Sequence, residues 1–422
     1  MNKNVYKTLL VTTVVLISIS FFLVPFSSAV ENENQARIFK EYAYTKDHIR
    51  CALRSNRQKD GTPRPNNYPN MKEFYLDIDD LDQAISAEFI VEYWGGHIGT
   101  SDQKFKFNGN AFIQLPTIKN TPTDPQCYYR NILGASVPVP LEHLKEGANL
   151  MQFSLGPQTC YSFNWAWYFL YSVTMRIYFD ESKPHPTGRV ISPQSGDTIG
   201  DLPKLATDVS SPNGKITEVI FLGYYDDFDW KGTGEFRQWH FQYQYSQLKQ
   251  YLDRVIRPPF EATWNNEFVP DQSKSMKIKA IITDETGMKY MTPVVDNVKM
   301  VRDGRSVKMY ISNDVPENFG VRVGGRKSCT INIHDDLSGA KSVRMVVSTW
   351  SGATDDGSRH EIGINDVKLS DNFGTFHSYS YKMLHVPLKL LKSGSNEIYI
   401  YSEFKGHALE INWPGPVLLI EY

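Results

Sequence analysis

Apolar and polar residues alternate in short runs along most of the chain. In one such run Met175, Ile177 and Phe179 stand two positions apart, which is the spacing of a half-buried β-strand. No part of the sequence sustains the three-to-four-residue spacing of a long amphipathic helix. The hydrophobic pattern therefore predicts an all-β protein.

Three blocks of this pattern occur twice, once near each end of the chain. In the first copy Trp94 precedes Asn108 by 14 residues. In the second copy Trp350 precedes Asn365 by 15 residues. Such agreement indicates an internal repeat and predicts two copies of one β-sandwich. The matching blocks are residues 89–113, 139–153 and 163–179 in the first copy and 345–369, 386–400 and 411–422 in the second.

Each copy contains the segment Val-Pro-Leu-x-x-Leu-Lys-x-Gly-x-Asn, at residues 139–149 and 386–396. We expect the segment to end a strand, to form a short helical turn that the glycine closes, and to tie its loop to the next strand through the asparagine. Asn-Gly at 108–109 and Asn-Asp at 365–366 predict tight hairpin turns.

In this order of turn, segment and strand, both copies resemble the galactose-binding-like jelly rolls that serve as accessory modules in glycoside hydrolases and lectins. The resemblance implies a jelly-roll-like sandwich at each end. It implies less about function, because many such modules only pack against a catalytic neighbour. Between the copies, residues 188–302 resemble the bacterial immunoglobulin-like domains of extracellular polysaccharide-acting proteins. That likeness rests on the blocks at residues 189–199, 205–222, 258–266 and 276–290.

The N-terminus has the pattern of a secretory signal. Lys3 and Lys7 precede an apolar run at about residues 9–26, and small residues at 27–29 suit cleavage. Uncleaved, the run is long enough to span a bilayer. We expect cleavage and a secreted, periplasmic or cell-surface protein without stable membrane insertion.

These patterns predict the domain organisation of the whole chain. Two jelly-roll-like sandwiches flank a central immunoglobulin-like sandwich. The predicted segments are a signal peptide at 1–29, an N-terminal jelly-roll-like domain at 30–184, an immunoglobulin-like domain at 185–302 with a long insertion at 223–257, and a C-terminal jelly-roll-like domain at 303–422.

Charge and composition restrict the classes of binding partner that we expect. A formal net charge of -2, with both signs interspersed, argues against nucleic acid. Aromatic residues make up 13% of the chain, which fits either sandwich cores or rings that stack on a sugar. We therefore expect a polysaccharide or another glycan as partner.

The four cysteines allow three pairings in an oxidising compartment. Cys127 and Cys160 lie in the same segment and are the predicted disulfide. A bridge between Cys51 and Cys329 would then link the two terminal sandwiches.

The insertion begins with YYDDFDWKGTGEFRQWH, residues 224–240, which is rich in acidic and aromatic residues. Part of it resembles the first half of a calcium loop, although Lys231 replaces an oxygen ligand and Gln238 cannot supply the final carboxylate. Calcium binding, a metal-free turn and direct ligand contact remain as alternatives. The candidate calcium ligands are Asp226, Asp227, Asp229 and Glu235.

The same stretch contains candidate catalytic residues. Two carboxylates about 5 to 10 Å apart would suit a glycosidase. In a lyase, an arginine would neutralise a uronate while a histidine moves a proton. The spacing selects neither scheme. The candidates are Asp226, Asp229, Glu235, Arg237 and His240.

Further residues are candidates for ligand contact, because aromatic rings stack on sugars and polar groups bind hydroxyls. Trp94 and Trp350 match between the copies, which favours a shared structural role instead. The ligand candidates are Tyr224, Tyr225, Trp230, Trp239, His97, His407 and Glu410.

The sequence therefore predicts an exported carbohydrate-binding or polysaccharide-utilisation accessory protein. One alternative is a polysaccharide hydrolase or lyase with its site near the insertion. The other is a cell-surface structural or adhesion protein, for which we expect buried aromatic residues and no glycan binding.

Overall fold

The computed structural model describes part of the chain, and within it every regular element is a β-strand apart from three one-turn 3-10 helices. None of the helices in this part could span a bilayer. The all-β prediction is confirmed. The signal peptide, His97, Cys127 and Cys160 lie outside the described residues. The residues that the structure describes are 35–45, 49–52, 73–95, 99–118, 121, 129–156 and 167–422.

The N-terminal sandwich places one four-stranded sheet, in the order β3-β8-β5-β6, against a second sheet in the order β7-β4-β9-β1. Phe89, Val91 and Tyr93 of β4 alternate into the core between them. The elements are β1 (Arg37–Tyr44), β2 (Ile49–Ala52), β3 (Phe74–Ile78), β4 (Ala84–Trp94), β5 (Lys104–Phe107), β6 (Ile113–Gln114), β7 (Ile132–Val139), the 3-10 turn Leu141–His143, β8 (Gly147–Ser154) and β9 (Trp167–Phe179).

The central sandwich packs the three-stranded sheet β10-β12-β18 against strands that include β13 and β19. Phe221 and Ile278 lie in its core. The strands are β10 (Thr187–Ser192), β11 (Thr198–Ile199), β12 (Lys204–Ser210), β13 (Ile216–Asp226), β14 (Arg237–His240), β15 (Gln242–Gln244), β16 (Gln247–Lys249), β17 (Asp253–Val255), β18 (Glu261–Thr263), β19 (Met276–Asp284), β20 (Lys289–Met291) and β21 (Val295–Met300).

The C-terminal sandwich repeats the order of the N-terminal one. Its sheets run β24-β29-β26-β27 and β28-β25-β31-β22. The elements are β22 (Val307–Ile311), β23 (Gly320–Val321), β24 (Gly325–Ile333), the 3-10 turn Leu337–Gly339, β25 (Ser342–Trp350), β26 (His360–Ile364), β27 (Val367–Asp371), β28 (Tyr379–His385), the 3-10 turn Leu388–Leu390, β29 (Gly394–Ser402), β30 (Leu409–Ile411) and β31 (Val417–Glu421).

The internal repeat extends to individual hydrogen bonds. Asn149 Nδ2 donates to the carbonyl oxygen of Lys145 at 2.7 Å, and the matching Asn396 Nδ2 donates to that of Lys392 at 2.8 Å. Asn108 donates to the Oδ1 atom of Asn149 at 2.8 Å, and Asn365 donates to that of Asn396 at 2.9 Å. The predicted role of the asparagine that ends the repeated segment, Asn149 or Asn396, is therefore confirmed in both copies.

The predicted turns also have the expected backbone. Asn108 and Asn365 have φ values of 49° and 48°, in the left-handed region that asparagine tolerates. Gly147 and Gly394, which follow the 3-10 turns, have φ values of 80° and 87°. A side chain at these two positions would be strained.

The first strand of the N-terminal sandwich continues into the central one. Ile38 of β1 pairs with Tyr290 of β20, and on its other side β1 pairs with β9. The outer sheet of the N-terminal sandwich is therefore continuous with the central sheet, and residues 35–422 form one compact unit. The proposed boundaries near 184 and 302 fall between strands, and the division into three domains stays a prediction.

Cys329 forms no disulfide. Its thiol is free and buried in the core of the C-terminal sandwich, 3.5 Å from the hydroxyl oxygen of Ser312. Burial raises the pKa of this thiol to about 12. The bridge considered between the terminal sandwiches is therefore wrong, because Cys329 points into its own core.

Candidate functional site

The long insertion of the central sandwich is not an appended surface loop. It extends β13, forms β14 and the β15-β16 hairpin, and contacts both terminal sandwiches. The carbonyl oxygen of Lys231 accepts a hydrogen bond from Gly134 N at 2.8 Å. Gln242 Nε2 donates to the Tyr381 hydroxyl at 2.7 Å, and Trp230 packs on the outer face of the C-terminal sandwich. The insertion thus joins all three sandwiches.

A buried ion-pair network attaches the hairpin to the N-terminal sheet. The Arg176 guanidinium lies 2.8 Å from Glu41 and 2.7 Å from Glu88, and donates to the Tyr243 hydroxyl at 3.0 Å. Burial raises the pKa of Glu41, but the positive charges of Lys289 and Arg176 outweigh it and hold that pKa at about 2. The network is therefore charged and structural at neutral pH.

The predicted calcium ligands are held by separate partners. Asp227 accepts a hydrogen bond from Trp230 Nε1 at 3.0 Å. Asp229 is buried and accepts hydrogen bonds from Gly234 N at 2.6 Å and from Gln238 Nε2 at 2.8 Å. Hydrogen bonds of this kind stabilise a turn.

The carboxylates do not converge on one point, as a calcium ion with six to eight oxygen ligands requires. Asp226 is paired with Arg237 at 2.7 Å, and Glu235 lies on the exposed side of the turn. No group of three His, Cys, Asp or Glu side chains in the described ranges is placed to hold a metal ion. The four carboxylates are thus engaged separately in this structure, and calcium binding stays a prediction.

Of the five candidate catalytic residues, Asp226 and Arg237 form an ion pair, whereas Asp229 and His240 are buried. His240 is buried with Nε2 2.8 Å from the Tyr225 carbonyl oxygen, and burial lowers its pKa to about 3. Arg237 donates to the carbonyl oxygen of Ser275 at 2.6 Å, and Asp229 is enclosed by its turn. The arrangement therefore supports neither a carboxylate pair nor an arginine and histidine facing a substrate.

Two other ligand candidates occupy different places in the C-terminal sandwich. Glu410 is buried between sandwiches, where it accepts from Trp94 Nε1 at 3.2 Å and pairs with Arg130 at 3.0 Å. Burial raises the pKa of Glu410, against the opposing charge of Arg130. His407 is partly exposed and stacks on His377 with ring centroids 4.1 Å apart. Glu410 is thus an interface residue, whereas His407 lies at the surface.

Tyr224 and Trp239 lie side by side on the outer face of the central sheet, with ring centroids 5.8 Å apart. Lys279 Nζ lies 4.0 Å from the centroid of Trp239. The Arg237 guanidinium lies 5.2 Å from that of Tyr224. Each ring therefore has a cation of the protein over it, as part of the packing of the sheet.

A cleft of about 320 Å³ opens between the central and C-terminal sandwiches. Aromatic side chains form much of its walls, and amide, carboxylate and guanidinium groups complete them. We call it the aromatic cleft. It contains two of the predicted ligand residues, Tyr225 and Trp230. Its lining residues are Tyr225, Asp227, Trp230, Gln250, Tyr251, Leu252, Trp264, Asn265, Glu267, Phe268, Val269, Arg344 and Met383.

Distant parts of the chain form this cleft. Tyr225 lies at the end of β13, and its ring is 5.5 Å from that of Trp264, which follows β18. The guanidinium of Arg344 in β25 lies 4.7 Å from the ring centroid of Phe268. Met383 of β28 adds an exposed apolar side chain, at 46% exposure.

A buried asparagine holds the loop after β18 in place. Asn266 is fully buried, accepts a hydrogen bond from Leu202 N at 3.0 Å, and donates to the Gly200 carbonyl oxygen at 2.8 Å. Its neighbours Asn265 and Glu267 are exposed at the rim of the cleft. Because the buried amide positions the loop, these two side chains are held at the rim.

Asp227 is the carboxyl group deepest in the cleft, at 7% exposure. Burial raises its pKa to about 6, against the hydrogen bond from Trp230 Nε1. Near neutral pH the group can therefore act as an acceptor, and in mild acid it can also donate. Such a carboxyl group is well suited to hydrogen bonding with hydroxyl groups.

Sequence reasoning missed most of this cleft. Residues 264–267, Trp-Asn-Asn-Glu, combine aromatic and polar side chains as residues 224–240 do, and that composition was a usable signal. Arg344 and Met383 belong to another sandwich, so no local pattern could associate them with Tyr225. Gln250 and Tyr251 lie inside the insertion but outside its acidic stretch.

No protein-family model matches the chain, and no curated protein matches its sequence. Similar solved structures include BuGH86 in complex with neoagarooctaose, at 11% identity and a TM-score of 0.23, over 59% of this chain and 34% of that one. A β-porphyranase of glycoside hydrolase family 86 from Bacteroides plebeius matches at 14% identity and 0.21, over 57% and 37%. A DUF4785 family protein from Legionella pneumophila matches at 10% identity and 0.23, over 94% and 85%.

This chain spans about a third of the length of the two glycoside hydrolase structures. TM-scores near 0.2 at 14% identity or less carry no argument about its function. The all-β class rests on the strands themselves, and a fold class alone does not assign a function.

Proposed function

We propose that this protein binds carbohydrate in the aromatic cleft, as an exported accessory protein in polysaccharide use. The observation that carries the proposal is the combination of aromatic walls and a polar rim in one cleft between two sandwiches. A sugar ring has apolar C–H faces and a belt of hydroxyl groups, so its binding site needs both kinds of surface.

Individual side chains have distinct proposed roles. Tyr251 is partly exposed and would stack on a sugar face. Asn265 and Glu267 at the rim would bind hydroxyl groups, and Asp227 would do so deeper in the cleft. Arg344, held over Phe268, would donate to a ring or hydroxyl oxygen. The cleft thus offers donors and acceptors around an apolar centre.

The proposal includes the finer assignments made from the sequence. These are the galactose-binding-like character of the two terminal sandwiches, the immunoglobulin-like character of the central one, and export directed by residues 1–29. The repeated asparagine network supports the common origin of the two terminal sandwiches. Calcium has no part in the proposal.

Migration of the mature protein in native gels cast with single polysaccharides tests the proposal. Plant, algal and bacterial polymers form the panel, and retardation by at least one is the expected result. Tyr251→Ala should weaken the binding about tenfold, because the stacking surface is lost. Asn265→Ala should weaken it less, since one neutral hydrogen bond contributes about 1 kcal/mol.

Two matched variants control for non-specific effects. Tyr75→Ala removes an exposed tyrosine of the N-terminal sandwich, at 48% exposure, and Asn313→Ala removes an exposed asparagine of the C-terminal one. Both should migrate as the unchanged protein does. Equal weakening by Tyr75→Ala and Tyr251→Ala would contradict a site in the cleft. Shortened polymer chains in the same mixtures would favour a hydrolase or lyase.

The burial of several tryptophan rings favours a second candidate function, that of a cell-surface structural protein. Trp94, Trp350 and Trp264 are each at most 3% exposed, and the insertion joins the sandwiches into one compact unit. This candidate predicts normal migration in every polysaccharide gel. The same panel therefore separates the two functions.

A further inference from the structure

A second cleft of about 360 Å³ opens beside the first, between the hairpin and the central sheet. Its floor is apolar, formed by Ile220 of β13 and Ile281 of β19. Its walls are charged, and we call it the charged cleft. Tyr251 lines both this cleft and the aromatic cleft. The two clefts therefore meet at this tyrosine, although Ile220 and Tyr225 point to opposite faces of β13.

The acidic groups of the charged cleft are already neutralised by the protein. Glu41 is buried against Arg176 at 2.8 Å and lies 3.4 Å from Lys289. Glu218 accepts a hydrogen bond from Arg254 Nε. Neither carboxylate is thus an uncompensated negative charge that would repel an anion.

Two basic side chains of the charged cleft face solvent. Lys249 at the end of β16 is exposed, and the Arg254 side chain in β17 is 51% exposed although its Nε is bonded to Glu218. An arginine held through Nε presents the outer edge of a planar fork, which suits the paired oxygens of a carboxylate or sulfate. Because Arg254 already compensates Glu218, Lys249 supplies the accessible positive charge beyond these ion pairs, next to the outer edge of the Arg254 guanidinium and an apolar floor.

We propose that the two clefts bind one acidic oligosaccharide chain that passes across Tyr251. A sugar ring would lie in the aromatic cleft, and a carboxylate or sulfate group of a neighbouring sugar would bind Lys249 and Arg254. This inference rests on the proposed function and adds to it the chemical class of the glycan. Each cleft lies within the size range of small-ligand sites, roughly 300 to 1,000 Å³.

Both clefts open to solvent, since exposed residues line part of each. Glu267 and Met383 flank the aromatic cleft, and Lys249 and Arg254 flank the charged cleft. An open cleft accepts internal segments of a polymer as well as chain ends. The ligand is therefore expected to be a polysaccharide rather than a single sugar.

Two pairs of polymers test the inference by affinity electrophoresis. Polygalacturonate and its methyl ester differ in free carboxylates, and dextran sulfate and dextran differ in sulfate esters. We expect tighter binding to at least one acidic member than to its neutral partner. The pair that shows the difference identifies carboxylate or sulfate as the bound group. The preference should shrink at high ionic strength, because the basic groups are exposed.

The decisive variant is Lys249→Gln with Arg254→Gln. It should weaken binding of the acidic polymer about tenfold and leave the neutral polymer within about twofold, since two exposed charge-assisted contacts are lost. The control is Lys299→Gln with Arg322→Gln, which removes the same charge from exposed positions elsewhere. Tyr251→Ala should weaken both polymers, because the tyrosine belongs to both clefts.

The outcomes separate this inference from the proposed function. Equal binding of acidic and neutral polymers, unaffected by the decisive variant, would overturn the inference and leave carbohydrate binding in place. Equal weakening by the control variant would also overturn the inference, because it would show that the net charge of the protein alone attracts the acidic polymer. Normal migration in all four polymers and in the wider panel would overturn both. Circular dichroism of each variant verifies that it is folded.

Discussion

Trp94 and Trp350 occupy equivalent positions in the two copies of the repeat and stack on each other, with ring centroids 5.2 Å apart and planes at 14°. Each points away from the core of its own sandwich and is buried against the other. Trp350 Nε1 donates to the Tyr171 hydroxyl at 2.7 Å. The shared structural role predicted for the two tryptophans is confirmed, because the copies meet at these matching residues.

Removing one member of this stack should destabilise the whole compact unit. We expect Trp350→Ala to lower the free energy of unfolding by about 3–5 kcal/mol, since it leaves a cavity between sandwiches and deprives Tyr171 of a hydrogen bond. Urea unfolding measures the change. Tyr75→Ala, at an exposed position, should change it by about 0.5 kcal/mol or less. Similar losses for both variants would contradict the role of the stack.

Glu92 gives the interface a dependence on pH. It is buried, accepts hydrogen bonds from Ser172 Oγ at 3.1 Å and Tyr245 N at 3.0 Å, and also bonds the Tyr379 hydroxyl. No Lys or Arg of the described residues pairs with it. Burial therefore raises its pKa from the usual 4.5 to about 8, against these hydrogen bonds.

The folded-state pKa of Glu92 lies above the unfolded one, so the stability that protonated Glu92 contributes is complete below about pH 4.5. It is lost as the pH rises to about 8, at up to about 1.4 kcal/mol per pH unit. Glu92→Gln removes this titration. The melting temperature of the variant should rise relative to the unchanged protein between pH 5 and pH 8.5. A constant difference over that range, or the same trend in exposed Glu142→Gln, would refute the assignment.

The paired asparagines allow a symmetric test of the repeat. Asn149→Ala and Asn396→Ala should each lower the free energy of unfolding by about 1–3 kcal/mol, because buried backbone groups lose their partners. Since the two sites lie in different sandwiches, the losses should add in the double variant. Urea unfolding of the single and double variants measures this. A loss confined to one copy would show that the networks are not equivalent in energy.

Cys329 should be unreactive in the folded protein. Its buried thiol and raised pKa leave little thiolate to react with iodoacetamide at pH 8. Peptide mapping by mass spectrometry should show labelling of Cys329 only after unfolding in urea. Recovery of a disulfide-linked peptide that contains Cys329 would contradict the free thiol.

Local patterns predicted those features that depend on neighbouring residues in the chain. Asn108 and Gly147 have the left-handed backbone that their turns require, and so do Asn365 and Gly394 in the second copy. Sequence spacing was sufficient here, because hairpin turns and short helical turns are stabilised by hydrogen bonds within a few residues. The two sandwiches and the match between them follow from the same local regularity.

Residues 224–240 show why the candidate site could not be predicted in the same way. Their acidic and aromatic composition left calcium binding, a metal-free turn and direct ligand contact as alternatives, and the structure shows that Asp229 and His240 are buried. The reason is that this segment lies between sandwiches far apart in the chain, which supply the surfaces that cover it. Whether an aromatic side chain is a ligand platform or part of a core depends on that distant surface.

The sequence by itself determined the strands, the turns and the equivalence of the terminal sandwiches, because each depends on the spacing of residues close together in the chain. Only the tertiary structure decided which aromatic rings are buried, which acidic residues are paired, and where a cleft opens. Tyr251 and Arg344 are 93 positions apart in the chain and line one cleft. Burial and ion pairing arise from contacts between sandwiches, and alternation of apolar and polar residues carries no information about such contacts.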